Sequence, residues 1–489
     1  MKSGASPLSD MSPKEFRHAA DQVVQRIAEF LQEPERWRVL PAVTPGALRS
    51  ALPVAPPHDG EPFDRILADF DQLIMPGTTH WNHPGFMAYF ATTGSAPAIL
   101  GEALIAMLNV NAMLWRTGPA ATELEEVTLD WLRQLLGLPA TFDGVINDTA
   151  SSSTLYALAA ARESLADLRI RAEGLSGRPD VPRLAVYCSA EAHSSVDKAV
   201  ITLGLGLSGV RHIPADGQYR MDVSALRAAI EHDRREGIRP MAVVATIGTT
   251  STTSIDPVAE IADVCRAENI WLHVDAAYAG TAAIIPEMRW VLNGCERADS
   301  LVVNPHKWMF VPMDCSVLYT ARPELLRAAF SLVPEYLTTS EGAVARNLMD
   351  YGVSLGRRFR ALKLWFVLRY FGSAGIAQRL RRHIELATEL ECWIRDEESF
   401  ELLAPRHFSV VVFRYQPAGH GEAELDALNA RILDAVNASG EIFLSHTKAK
   451  GRFAIRVAIG NLRTESTHVA RAWQLIREHA HTQLAGFTS

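Results

Sequence analysis

The sequence predicts an α/β fold, a mostly parallel sheet covered by helices, and three observations predict it. From Ala140 to about Thr320, short apolar runs alternate with amphipathic stretches of helical length, the pattern of repeated strand–helix–strand units. The chain has 489 residues, 48% hydrophobic and 21% charged, enough to bury a large core shared among roughly two or three domains. Several apolar runs also end in polar residues, and such sheets bind ligands beyond the carboxyl ends of their strands.

The first element is a helix. Ser12-Pro13-Lys14-Glu15 supplies a capping serine, a proline at the first turn and a glutamate reaching back, the signature of a helix start. Phe16, Val23, Ile27, Phe30 and Leu31 then recur at helical spacing. The proline-rich stretch "LPAVTPGALRSALPVAPPHDGEPF" follows and reads as an extended arm, so this helix is expected to pack on another body, such as a second subunit. Within the alternating region, strands are expected at Leu184 to Cys188, Met241 to Ile247, Trp271 to Asp275, Leu301 to Asn304 and Ser316 to Tyr319. Helices are expected at Val223 to Glu236 and Pro257 to Glu268.

Composition excludes several functions. A net charge of −8 and a pI near 6.1 give no field that attracts nucleic acid or an anionic membrane. Cys188, Cys265, Cys295, Cys315 and Cys392 are scattered without a CxxC pair, which suggests neither zinc nor a disulfide framework and suits a reducing cytoplasm. The N-terminus has no cationic and apolar leader, and no apolar run reaches the roughly 18 residues that span a bilayer, so neither secretion nor a membrane anchor is expected. Gly204, Gly206 and Gly209 of "GLGLSG" fit the dinucleotide pattern GxGxxG, but they follow a helical stretch and precede the strand-like "VRHIPAD", the reverse of the order a nucleotide needs. His80 and His83 lack an accompanying carboxylate or cysteine at ligand spacing and read as structural or pocket-lining rather than metal-binding.

The chemistry gathers at strand ends. In "SLVVNPHKWMF" Lys307 stands between apolar β-formers and a tryptophan. Burial there would keep it neutral part of the time and make it a nucleophile toward an aldehyde, forming a Schiff base. Pyridoxal phosphate is the common aldehyde cofactor, and it needs a carboxylate at its pyridine nitrogen, a phosphate cup and a ring clamp. Asp275 of "WLHVDAAYAG" offers the carboxylate. Thr149, Ala150 and Ser151 precede an alanine-rich helix whose free N–H groups favour a phosphate. His193 of "AEAHSSVDKA" sits at a strand-to-helix turn from which an imidazole could stack on the ring. Taken singly, these residues also read as a snorkelling lysine, a charge partner, a helix cap and a solvated turn histidine; together they would be independent coincidences at matching ends of one sheet.

"NPHKW", "HVDAAYAG", "AHSSVDKA", "HPGFMAYF", "LGRRFRALKLWF" and "GPAATELEEVTLDWL" together resemble the pyridoxal-phosphate-dependent group II decarboxylases, closest to the aromatic-L-amino-acid decarboxylases, from about Ser12 to Trp473. The resemblance implies the fold type I, aspartate-aminotransferase-like architecture: an N-terminal helical arm over 1–94, a large seven-stranded cofactor domain over 95–365, a small C-terminal α+β domain over 366–489, and an obligate homodimer. It implies that Lys307 carries the cofactor, Asp275 faces the pyridine nitrogen, His193 stacks on the ring and Ala277 lies under the opposite face. Thr149, Ala150, Ser151, Asn304 and His306 match the phosphate neighbourhood, and Thr250 is similar to a residue near the ring hydroxyl. Where familiar aromatic members carry a glycine-serine-alanine-serine run, this chain reads "NDTASSS". Tyr336, in "SLVPEYLTTSEGAVARN", matches the tyrosine of the family's catalytic loop and is expected to protonate Cα. Aldehyde-releasing relatives look to carry phenylalanine there, so Tyr336 argues for simple decarboxylation to an amine.

For the substrate, the resemblance points to Trp81, Tyr89, Phe90 and Thr92, with Met113 and Trp115 arriving across the dimer. That wall suits tryptophan, phenylalanine, tyrosine or its dihydroxy analogue. Gly356 of "LGRRF" holds a place where plant relatives pair glycine with indole substrates. Two positions depart from the aromatic pattern: Ala91 stands in place of a proline and Arg116 in place of a small residue. Arg116 keeps glutamate, aspartate or cysteine-sulfinate decarboxylation as the alternative, since a guanidinium suits a distal carboxylate or sulfinate. An aminotransferase, with Arg456 taking the α-carboxylate, and a nonenzymatic binding protein are the remaining readings.

Overall fold

The structure is a computed structural model, and it describes residues 10–332, 341 and 344–485. Among them are twelve strands in two sheets. In chain order these are β1 (Phe86–Met87), β2 (Asp143–Asn147), β3 (Leu184–Ser189), β4 (Val210–Ile213), β5 (Arg239–Thr246) and β6 (Trp271–Asp275). They continue as β7 (Ser300–Val303), β8 (Ser316–Thr320), β9 (Phe400–Leu402), β10 (Val410–Tyr415), β11 (Phe443–Ala449) and β12 (Arg452–Ala458).

The larger sheet has seven strands in the order β2-β8-β7-β6-β5-β3-β4. Strand β8 runs antiparallel to both neighbours and the other pairings are parallel, so all strands except β8 end on the same side. Both faces are buried, which is why the strands read as continuous apolar runs. Val243, Val274 and Leu301 pack into one core and Val186, Val244 and Leu318 into another. The expected strands and both expected helices are present, with ends displaced by one or two residues. In "GLGLSG" a short 3-10 turn, Leu207–Gly209, leads directly into β4, so no helix follows the glycines as the dinucleotide motif requires.

The smaller sheet, β1-β11-β12-β10-β9, carries its own core. Its edge strand β1 comes from the N-terminal segment and pairs in parallel with β11, stitching that segment to the C-terminal part of the chain. The long helical stretch Ala361–Arg395 breaks at Gly372, whose φ of +64° suits a residue without a Cβ.

The first helix, Pro13–Gln32, has the expected capping box. Ser12 Oγ accepts the Glu15 N–H at 3.3 Å and Glu15 accepts the Ser12 N–H at 3.0 Å. Ala19 is its only buried residue, while Phe16, Val24 and Ile27 are exposed. His80 and His83 are buried and bond to the backbone, His83 Nδ1 accepting the Gly85 N–H at 2.9 Å. No helix among the described residues is long and apolar enough to cross a membrane.

Candidate active site

Five strand ends converge on one cavity of about 200 Å³. The turn after β2 brings Thr149, Ala150 and Ser151, and the turn after β3 brings His193. Strand β5 leads to Thr246, Gly248 and Thr250, β6 to Asp275, Ala277 and Tyr278, and β7 to Asn304, His306 and Lys307. Every cofactor-site residue expected from the sequence therefore lines a single space.

Backbone geometry fixes these groups. Asn304 donates its N–H to the Ala277 carbonyl at 3.0 Å and accepts the Lys307 N–H at 2.9 Å, tying the ends of β6 and β7 together. Pro305 opens the short helix Pro305–Trp308, which turns Lys307 into the cavity. Asp275 Oδ1 accepts the Ala277 N–H at 3.1 Å. His306 Nδ1 accepts the Cys315 N–H at 2.8 Å, and His193 Nδ1 accepts the Ser195 N–H at 3.1 Å. In the neutral ring each of these bonds leaves the proton on Nε2.

Burial disfavours the charged forms of several of these groups. Burial pulls the Lys307 pKa below its usual value; Asp275 opposes the shift and Arg456 adds to it. Burial likewise lowers His193, with Lys307 adding and Asp275 opposing, and brings His306 down to about 3. Lys307 Nζ sits 5.2 Å from the centre of the Phe90 ring. That ring stacks on Tyr278 at 3.8 Å, and Tyr278 stacks on Trp308 at 4.9 Å.

A second cavity of about 620 Å³ opens beside the first and shares Phe90, His193, Thr250, Lys307 and Met313 with it. Trp81, Tyr89 and Thr92 line it as expected from the sequence. Its far wall comes from Ser445, His446 and Thr447 of β11 and from Arg456 of β12. Arg456 is buried, donates to the Tyr89 carbonyl at 2.5 Å and the Ser251 carbonyl at 3.1 Å, and leaves Nη2 without a partner.

Met113, Trp115 and Gly356 line neither of these cavities within the chain. Trp115 bonds to Asn347 and Glu123 instead, Met113 packs beside Leu114 and Met349, and Gly356 lies at a separate cleft with Asn147 and Arg357. Arg116 is exposed. Tyr336 lies outside the described residues.

The sequence reading missed Tyr278, Met313 and the β11 residues. Tyr278 stands inside the quoted "HVDAAYAG" and could have been singled out there. Ser445, His446 and Thr447 carry no comparable signal, because only the docking of the smaller sheet brings them near Lys307.

The residues present fit pyridoxal phosphate. Asn304 Oδ1 and Thr246 Oγ1 are buried in the cavity wall with no hydrogen-bond partner, as expected where a polar group is to be received. The helix Ala150–Glu163 points its N-terminus at the same space, which favours an anion. Fold and site are those expected of an enzyme that uses an aldehyde cofactor beside a buried lysine. Residues 45–416 match the family described as pyridoxal-dependent decarboxylase conserved domain, and the chain belongs to that family: it is a pyridoxal-phosphate-dependent decarboxylase. It is 40% identical to the aromatic-L-amino-acid decarboxylase of Sus scrofa over 97% of this chain and 98% of that one. It is 38% identical to the phenylacetaldehyde synthase of a Rosa hybrid cultivar over 98% and 96% of the two chains. The structure of Oryza sativa TDC with PLP and tryptamine superposes with a TM-score of 0.93 at 36% identity, covering 98% of this chain and 99% of that one.

Proposed function

We propose that the enzyme decarboxylates an aromatic L-amino acid to the corresponding amine and CO2, working as a homodimer in the cytoplasm. The observation that carries this reading is the opening of the Lys307 cavity onto a wall of Trp81, Tyr89 and Phe90. Such a wall takes a flat apolar side chain. The aromatic decarboxylases among its relatives support the same choice.

Pyridoxal phosphate, when bound, supplies a sink for the electron pair left as the carboxylate departs. The chain's residues do the rest. Lys307, whose ammonium form burial disfavours, would hold the cofactor by its aldehyde and leave that position to the substrate amine. Asp275 would hold a proton at the cofactor's pyridine nitrogen. His193 and Ala277 would clamp its ring, and Thr250 would serve its hydroxyl. Thr149, Ala150, Ser151 and Asn304, with Nε2–H of a neutral His306, would hold its phosphate. Thr92 and His193 receive the substrate carboxylate and orient its bond for cleavage. Tyr336 returns a proton to Cα, which directs the reaction to an amine rather than an aldehyde.

Exposed Phe16, Val24 and Ile27 on the first helix supply an apolar face for a second protomer. That protomer would bring Met113 and Trp115 to the substrate wall. Five free cysteines, four of them buried, suit a reducing compartment.

One observation favours a second reading. Arg456 leaves a buried Nη2 unpartnered at the wall and would suit the distal carboxylate of an acidic substrate, a role the sequence reading gave to Arg116. The aminotransferase reading is overturned by the match to a decarboxylase family. The deciding experiment measures CO2 and amine release from tryptophan, phenylalanine, tyrosine, dihydroxyphenylalanine, glutamate and cysteine sulfinate. Preference for an aromatic substrate is expected; preference for glutamate or cysteine sulfinate would overturn the aromatic assignment and leave the roles of Lys307 and Asp275 untouched.

A further inference from the structure

Two motifs that carried the family resemblance, "GPAATELEEVTLDWL" and "LGRRFRALKLWF", supply none of the cavity's lining residues. They meet in a buried ion pair, Glu125 with Arg357, whose side chains are 3% and 7% exposed. Arg357 Nη2 donates to Glu125 Oε1 at 2.9 Å, and Nη1 reaches Oε2 at 3.3 Å.

The pair's location gives it a task. Strand β2 is an edge strand, hydrogen-bonded only to β8 on its inner side. On its outer side Ile146 donates its N–H to Glu125 Oε1 at 2.9 Å, and its carbonyl accepts from Arg357 Nη2 at 2.6 Å. The ion pair thus satisfies both backbone groups as a neighbouring strand would. Thr149, the cap of the helix that faces the cofactor cavity, lies three residues further along the chain. On the other side, Arg357 donates its backbone N–H to Asn111 Oδ1 at 2.9 Å and its carbonyl accepts the Ala112 N–H at 2.8 Å, anchoring the segment that carries Met113 and Trp115.

We propose that Glu125 and Arg357 are positioning residues: they hold the end of β2 so that the Thr149–Ser151 turn keeps the geometry that receives the cofactor phosphate. The proposal rests on the reading of that turn as the phosphate seat. A planar, forked guanidinium is required, because Nη1 and Nη2 grip the two carboxylate oxygens while Nη2 also serves the Ile146 carbonyl. A lysine supplies the charge without the fork. Partners that orient metal ligands typically change metal affinity by roughly 10- to 100-fold when altered, and an effect of that order is expected here.

The test uses holoenzyme stripped of cofactor and titrated with pyridoxal phosphate and, separately, with pyridoxal, which lacks the phosphate. Arg357→Lys and Glu125→Gln are expected to weaken pyridoxal phosphate by about tenfold or more and to leave pyridoxal nearly unchanged. A merely structural role would weaken both ligands alike, and that result, or no change in either, overturns the proposal. Should Arg357→Lys not fold, the milder Glu125→Gln carries the comparison. Thr149→Val separates the two readings. If it leaves the preference for the phosphorylated ligand intact, the assignment of the phosphate seat fails; if it lowers that preference while Arg357→Lys does not, the positioning role alone fails.

Discussion

The floor and the wall of the candidate active site are assembled by different means. The floor is drawn from the ends of five strands in one sheet, and hydrogen bonds between adjacent strand ends, such as Asn304 to Ala277, lock its members together. The wall joins Trp81, Tyr89 and Phe90 to β11 and β12 of the smaller sheet, and two of its expected members, Met113 and Trp115, lie elsewhere in the chain. A floor built on one rigid sheet resists drift, as chemistry requires. A wall made where two sheets meet can change its specificity while the floor stays fixed.

The comparison predicts that floor substitutions cost far more than wall substitutions. Lys307→Ala should lose covalent cofactor retention after borohydride reduction, read by mass spectrometry, and should reduce turnover on the order of a thousandfold or more. Normal turnover by that variant would remove Lys307 from the chemistry. Asp275→Asn, which keeps the shape and removes the charge, should lower kcat on the order of a hundredfold while the cofactor still binds. On the wall, Trp81→Ala should raise KM for an aromatic substrate by roughly tenfold with a smaller change in kcat. An equal loss in kcat would mean that Trp81 acts on the reacting bond and that floor and wall are not separable. Tyr336→Phe leaves both in place and should shift the product from amine toward aldehyde; an unchanged product profile sinks the proposed protonation step.

The same division decides what could be read from the sequence. Strand β6 matches its expected limits, Trp271 to Asp275, because a buried parallel strand is a continuous apolar run that stops where a functional residue begins. The floor was legible for that reason and because its motifs are local. Strand β2 escaped notice: it opens with Asp143-Gly144, and as an edge strand it is completed by the side chains of Glu125 and Arg357 rather than by its own pattern. Strand β1 has two residues, too few for any periodicity, and exists because β11 offers it an edge. The placement of His446 and Arg456 at the wall depends on how the smaller sheet docks, which no local stretch of sequence encodes.

The smallest effect expected is on stability in acid, and it too begins at the floor. His273 and His306 lie in or under it, and His83 and His383 lie beyond it; burial lowers the first to about 4, the second to about 3 and the last two to about 4. Each is held neutral when folded, whereas the unfolded chain takes up protons below about pH 6.5. Their contribution is therefore complete above that pH and is lost as pH falls toward 4. Asp256 acts in the opposite sense, since burial raises it to about 6: its contribution is present at low pH and is lost as pH rises through 6. Four histidines outweigh one carboxyl, so stability should fall from pH 7 to pH 5. The slope is about 1.4 kcal/mol per pH unit for each net proton taken up on unfolding. Urea unfolding at the two pH values measures it, and a level or rising midpoint at pH 5 would show that these rings are not held neutral. His383 accepts from Trp308 Nε1 at 2.9 Å and bonds to the Asn461 carbonyl at 3.0 Å, while Asn461 donates to the Trp81 carbonyl at 3.1 Å. Protonating it removes the acceptor for Trp308, on which Tyr278 and then Phe90 are stacked, so acid should loosen the join between floor and wall before the parallel sheet itself opens.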